Sequence, residues 1–134
     1  MPEASRPPLS RAGSPPRAPG DEGAGRELVR ALCDPDRLGT AFQPVFRSRT
    51  GELEGCEALL RLPRDSGFEG PYQAFTAAFA TGLAVDLEVA SIERVLRDAE
   101  PFAGDHLVFL NLLAPFLGDP RFGAAWLVER VVAH

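Results

Sequence analysis

An α/β fold is predicted for this chain by three features of its 134 residues. Two strand-like runs, Thr40 to Phe46 and Leu53 to Leu62, flank a polar turn. Two apolar stripes at helical spacing follow between Tyr72 and Ala99, and an almost wholly apolar run from His106 to Leu113 then leads into a further helical pattern. The resulting order of strand, strand, helices, strand and helix is that of an α/β layer architecture. No internal repeat accompanies it.

The elements follow in chain order. Residues 1 to 25 are rich in Pro and Arg and hold almost no large apolar side chain, so they cannot offset the entropy of ordering and are expected to form a disordered tail. Order is expected from residue 26, with a short helix near Glu27 carrying Leu28, Val29 and Leu32 and ending before Asp34-Pro35. The two strands form a hairpin around Arg47 to Gly51, and Pro44 puts the first strand at an edge, an end or a bulge. After a loop from Arg64 to Gly70, Tyr72, Phe75 and Phe79 recur at helical spacing until Gly82 interrupts.

A second helix carries Val85, Val89, Ile92, Leu96 and Ala99 as one stripe, which leaves Glu88, Glu93, Arg94 and Arg97 on a solvated face. The His106 to Leu113 run fits a strand buried on both faces, as in a parallel sheet covered by helices. Pro115 and Asp119-Pro120 punctuate the next loop, and Phe122 to Val132, with Trp126, starts the last helix.

Composition narrows the function. Apolar residues at 45 % and charged residues at 25 % are those of a globular chain. No run approaches the roughly 18 apolar residues of a membrane span, and no secretory signal pattern opens the chain, so a cytoplasmic protein is expected. A net charge of -5 opposes DNA or RNA binding. Lysine is absent, so no mechanism that needs a lysine amine can run on this chain alone. Cys33 and Cys56 lack the nearby Cys or His partners of a zinc site and are expected to be ordinary thiols. His106 and His134 have no Ser or Cys nucleophile in motif context, and no Gly-rich phosphate loop is present.

The polar residues on the strands are the candidates for chemistry. Side chains alternate along a strand, so Glu57, Leu59 and Arg61 share one face while Cys56, Ala58, Leu60 and Leu62 share the other. Glu57 and Arg61 are roughly 13 Å apart along a straight strand, too far to pair but close enough to line one ligand-sized pocket. A carboxylate suits a hard cation such as Mg²⁺, and a guanidinium suits a phosphate. On spacing alone, a solvated hairpin face accounts for both charges more simply. Asn111 weighs against that, because an amide within Val108 to Leu113 is costly to bury unpaired. Its partner is a metal, a ligand or backbone, and for an isolated Asn backbone comes first.

Taken together, Phe42-Gln43-Pro44, Gly55-Cys56-Glu57-Ala58-Leu59-Leu60-Arg61, Thr81-Gly82-Leu83 and Phe109-Leu110-Asn111-Leu112 with Asp119-Pro120 resemble the EAL domain family, the bacterial cyclic di-GMP phosphodiesterases and their inactive relatives. The match in order and spacing runs over roughly residues 40 to 122. The resemblance implies a TIM-type β/α barrel, of which residues 26–134 would be the N-terminal portion. It also implies metal-binding roles for Glu57 and Asn111, a phosphate contact for Arg61 and a place near the ligand for Gln43. In the family two cations, Mg²⁺ or Mn²⁺, activate a water that opens cyclic di-GMP to the linear dinucleotide.

The departures from the family pattern carry expectations of their own. The family's further metal-binding glutamate, paired aspartates, lysine and later glutamates would lie beyond His134, and a closed barrel takes roughly 250 residues. This chain is therefore expected to be a truncated, inactive portion, or else a non-catalytic module that binds the ligand, a protein partner or a second copy of itself. Phe79-Ala80 stands where an acidic residue often precedes the Thr-Gly pair, and Leu113 replaces a small polar residue.

Overall fold

The computed structural model describes residues 21–101 and 104–133. Helix α1 spans Asp21–Leu32. Most of the expected tail lies outside the described residues, but its boundary at residue 25 moves, because residues 21–25 already belong to α1. A short 3-10 turn at Pro35–Arg37 then leads into the sheet, capped by Asp34, whose side chain accepts the Asp36 N–H.

Strands β1 (Gly39–Phe46) and β2 (Leu53–Arg61) form the expected antiparallel hairpin, with a register shift between Val45 and Phe46. Its turn closes through the Arg47 N–H to the Glu52 carbonyl at 2.8 Å, and Gly51 adopts φ +73°, a left-handed conformation that glycine takes without steric cost. Strand β3 (Leu107–Leu110) pairs in parallel with the other edge of β2, so the sheet order is β1-β2-β3. Pro44 therefore sits on an edge strand, where its missing N–H is tolerated.

Helices α2 (Pro71–Thr81) and α3 (Ala84–Ala99) are separated at Gly82, as its position predicts. Gly82 has φ +72°, and its N–H and that of Leu83 bond back to carbonyls of the last α2 turn. The core lies between these helices, α1 and one face of the sheet. Val29, Leu32, Leu38, Ala74, Ala78, Ala84, Leu87 and Ala90 form its buried cluster, with Leu60 and Leu62 packed against it. Cys56 and Ala58 are buried on β2, while Glu57 between them is half-buried.

Both expected helical stripes shift. On α2 the buried residues are Ala74 and Ala78, whereas Tyr72 is 88 % exposed and Phe79 about half exposed. Small side chains on α2 let α1 approach closely, so that Val29 and Leu32 fill the seam. On α3 the buried series runs Ala84, Glu88, Ile92, Val95 and Ala99, with Leu87 beside it, and Val85, Val89 and Leu96 are only half-buried. Glu88 thus lies in the core face and not on the solvated one. Glu93, Arg94 and Arg97 do take ion-pair partners, in Arg130, Asp98 and Asp36.

Strand β3 also departs from expectation. Leu107 and Phe109 are exposed and Val108 and Leu110 half-buried, so the strand is not buried on both faces. Its apolar sequence is compatible with two covered faces, but among the described residues α1 to α3 pack on one side of the sheet, and β3 pairs along one edge. The loop expected at Pro115 contains a short helix, α4 (Ala114–Leu117), with proline in its first turn, where no N–H is required. Phe116 is fully buried there and meets Trp126 of α5 (Gly123–Ala133) edge to face at 5.9 Å. Among the described residues no helix is long and apolar enough to cross a membrane.

The close approach of β3 to β2 depends on Gly55. A Cβ there would lie 2.2 Å from the Leu107 carbonyl oxygen, a backbone atom that cannot swing aside. Gly55→Ala is expected to destabilise the fold by about 1–3 kcal/mol, as overpacking does. Urea unfolding reads this directly, and an unchanged midpoint would show that β3 yields freely.

Candidate functional site

The sheet register decides which polar side chains meet. Gln43 of β1 pairs with Glu57 of β2, and Glu57 pairs in turn with Phe109 of β3. These three residues form one row across the sheet, on the face opposite that of Cys56 and Ala58. Asn111 lies two residues past Phe109, so strand alternation carries it to the same face just beyond the end of β3. Its Nδ2 donates to Oε1 of Glu57 at 2.7 Å, a charge-assisted bond between groups 54 residues apart in sequence.

This bond gives Asn111 a carboxylate partner, where backbone had been favoured. The face is a solvated one, with Gln43, Arg61 and Asn111 exposed and Glu57 half-buried. Gln43 is exposed next to Glu57 in register. Arg61 closes β2, is exposed, and has Nη1 donating to its neighbour's carbonyl, that of Leu60, at 3.1 Å. The structure thus joins Glu57 to Asn111 directly, sets Gln43 beside them, and leaves the Arg61 guanidinium at the rim, turned onto backbone.

A cavity of about 220 Å³ opens where β2 runs on past its last partner in β3, with Leu59, Arg61, Leu110 and Asn111 on the strand side and Glu88 and Ser91 on the α3 side. It lies at the carboxyl ends of two parallel strands, where ligand sites of α/β sheets form. Sequence reasoning missed Glu88. The residue is 3 % exposed, and its Oε1 accepts the Leu113 N–H at 2.7 Å. Burial pushes its carboxyl above the usual value, and that backbone bond partly opposes the rise. The signal was present, since Ala84, Glu88, Ile92, Val95 and Ala99 recur at steps of four and three, but reading it required a charged residue to be admitted to an apolar stripe.

The two thiols are inert in character. Burial pushes Cys33 up to about 11 and raises Cys56 as well, away from the thiolate that reacts or binds metal. Among the described residues no group of three or more His, Cys, Asp or Glu is arranged to hold a metal ion.

Residues 26–133 match the family model of the EAL domain. Among solved structures, the Xanthomonas citri FimX EAL domain in complex with c-diGMP is similar at a TM-score of 0.65 and 19 % identity, over 85 % of this chain and 44 % of that one. A second FimX EAL domain structure has a TM-score of 0.59 and 27 % identity, over 81 % and 45 % of the two chains. Klebsiella pneumoniae BlrP1 with FMN and cyclic diGMP, free of metal ions, has a TM-score of 0.54 and 21 % identity, over 82 % and 33 %. The chain spans less than half the length of each of these structures. No curated protein is a significant match.

Glu88 generates a pH dependence whose sign can be worked out. Its folded-state value is raised above the ordinary 4.5, so the folded state holds the proton more tightly. Stability from this group is fully present below that ordinary value and declines as pH rises through the folded one. Glu88→Gln cannot ionise and is expected to gain stability over the parent as pH rises from about 4 to 7. Urea titrations of both chains across that range check the sign; a variant-minus-parent stability that stays constant or falls as pH rises would contradict it.

Proposed function

The chain belongs to the EAL domain family and has part of its TIM-barrel-like α/β fold, and from that premise we propose that the Gln43, Glu57, Arg61 and Asn111 face takes part in binding cyclic di-GMP together with a divalent cation. The observation that carries this reading is the 2.7 Å bond from Asn111, just past the carboxyl end of β3, to Glu57 in the middle of β2. Two of the similar structures, FimX and BlrP1, hold the same dinucleotide.

Each residue has a distinct part. Arg61 ends β2 with an exposed guanidinium that donates to the Leu60 carbonyl, so it can turn to a phosphate and bind it in two-pronged fashion. Gln43 offers an amide beside Glu57 for a polar edge of the ligand. Asn111 donates through Nδ2, which leaves its Oδ1 and the second oxygen of Glu57 as donors for a hard cation. Mg²⁺ or Mn²⁺ fits this chemistry, since both prefer oxygen ligands and keep several waters. When bound, such a cation polarises a phosphoryl oxygen and lowers the pKa of a coordinated water.

Glu57 and Asn111 are two oxygen donors, and the described residues add no larger cluster of metal-binding side chains. Hydrolysis to the linear dinucleotide is therefore proposed to need donors beyond this pair, and the activity assigned to these residues is ligand capture. Binding that does not require a cation is supported by BlrP1, which holds cyclic diGMP with no metal ions present.

Calorimetry of the chain with cyclic di-GMP, in Mg²⁺ and in EDTA, tests the proposal. Binding is expected in both, tighter with Mg²⁺, and Arg61→Ala is expected to weaken it about tenfold or more through loss of a charge-assisted phosphate contact. Glu57→Gln is expected to abolish the Mg²⁺ increment and leave the rest. Chromatography of the same mixtures is expected to recover the cyclic dinucleotide intact. Absence of binding in both buffers, or binding indifferent to Arg61, would overturn the assignment.

A further inference from the structure

Beyond the pairing of Ala58 with Leu110, the two parallel strands part company. β2 runs on to Arg61, while β3 ends and the chain passes through Asn111, Leu112 and Leu113 into α4. Asn111 therefore sits where the sheet no longer dictates its position, although its side chain must reach Glu57. The backbone N–H that anchors this connection is that of Leu113, and its acceptor is Glu88 Oε1 at 2.7 Å. Leu113 is the N-cap of α4 and has no side-chain cap of its own.

Glu88 suits an anchor. It projects from the second turn of the sixteen-residue helix α3, its neighbours Leu87, Ala84 and Ile92 are buried in the core, and it is itself 3 % exposed. A carboxylate on such a face is unfavourable unless hydrogen bonds compensate it, and an apolar residue there would pack more simply. The group that it engages lies two residues from Asn111, and Glu88 and Asn111 line the same cavity between α3 and the strand ends.

We propose that Glu88 is a positioning residue for the ligand face: by holding the Leu113 N–H from α3, it fixes the segment after β3 so that Asn111 is delivered to Glu57. The path runs from α3 through one hydrogen bond to the Asn111–Leu113 segment, and through a second to β2. Its functional consequence rests on the reading of Asn111 as part of the cyclic di-GMP face, whereas the geometry stands without it.

The test uses the whole chain, free of ligand, and reads the side-chain amide of Asn111 by NMR together with exchange of the Leu113 amide. Glu88→Leu removes the acceptor, Glu88→Gln keeps a carbonyl oxygen at the same place, and Leu113→Pro removes the donor at a residue whose φ of -77° suits proline. In Glu88→Leu the Leu113 amide is expected to exchange about ten- to a hundredfold faster. Asn111 is exposed in the parent, so the readout is its bond to Glu57: the side-chain resonances are expected to move to the positions of an amide without a carboxylate partner in Glu88→Leu and in Leu113→Pro, and to keep their parental positions in Glu88→Gln. If Glu88→Leu fails to fold, Leu113→Pro decides, because it keeps Glu88 and its buried α3 neighbours in place and changes only a partly buried side chain at the core's margin. Unchanged Asn111 resonances in a folded Glu88→Leu or Leu113→Pro chain, or their displacement in Glu88→Gln, would overturn the proposal. A parental chain that binds no cyclic di-GMP would count against the ligand reading alone, and the resonance shifts would still decide the role of Glu88.

Discussion

The four-residue parallel pairing of Gly55–Ala58 with Leu107–Leu110 is the contact on which the candidate site depends. A hairpin of β1 and β2 alone would present Gln43 and Glu57 as two polar groups on an open face. Adding β3 brings Asn111 within hydrogen-bond reach of Glu57 and creates the crevice at the strand ends. The pairing in turn needs a residue without a side chain at 55, because the Leu107 carbonyl occupies the place a Cβ would take. A local choice of glycine thus controls a contact between groups far apart in the chain.

Two carboxylates flank this region, and their environments separate their uses. Glu57 is half-buried on the uncovered face, accepts one amide proton and retains an oxygen for a cation or solvent. Glu88 is enclosed by the helical core and gives an oxygen to a backbone N–H, so its carboxyl is spent on holding structure. The same functional group binds in one place and braces in the other. What separates them is solvent access, since burial penalises the charged form and makes any available donor valuable.

Much of the topology was legible in the residues. Alternation marked the hairpin, Gly51 its turn and Gly82 the break between helices, and a continuous apolar run marked a strand that does pair in parallel. The helix faces were less legible. Tyr72 and Phe79 have the periodicity of a core stripe, yet alanines make the contact with α1, because close helix approach favours small side chains over large ones. Glu88 was misplaced because hydrophobicity ranks a residue by type, whereas its burial is decided by a donor 25 residues later in the chain. The short helix α4 hid behind Pro115, which breaks a helix in its interior but starts one readily in its first turn.

By itself, the sequence determined the strand and helix order, the shared face of Glu57 and Arg61, and through an ordered set of motifs the family; these depend on local periodicity and on residue identity at fixed spacing. Only the tertiary structure decided that Asn111 bonds to Glu57, that the Arg61 guanidinium rests on the Leu60 carbonyl, and that Glu88 turns inward to the Leu113 N–H. The physical reason is that the first set follows from the geometry of one chain segment at a time. The Asn111 and Glu88 contacts depend on where a partner distant in sequence arrives, and the Arg61 contact on which way a flexible side chain turns at the end of its strand.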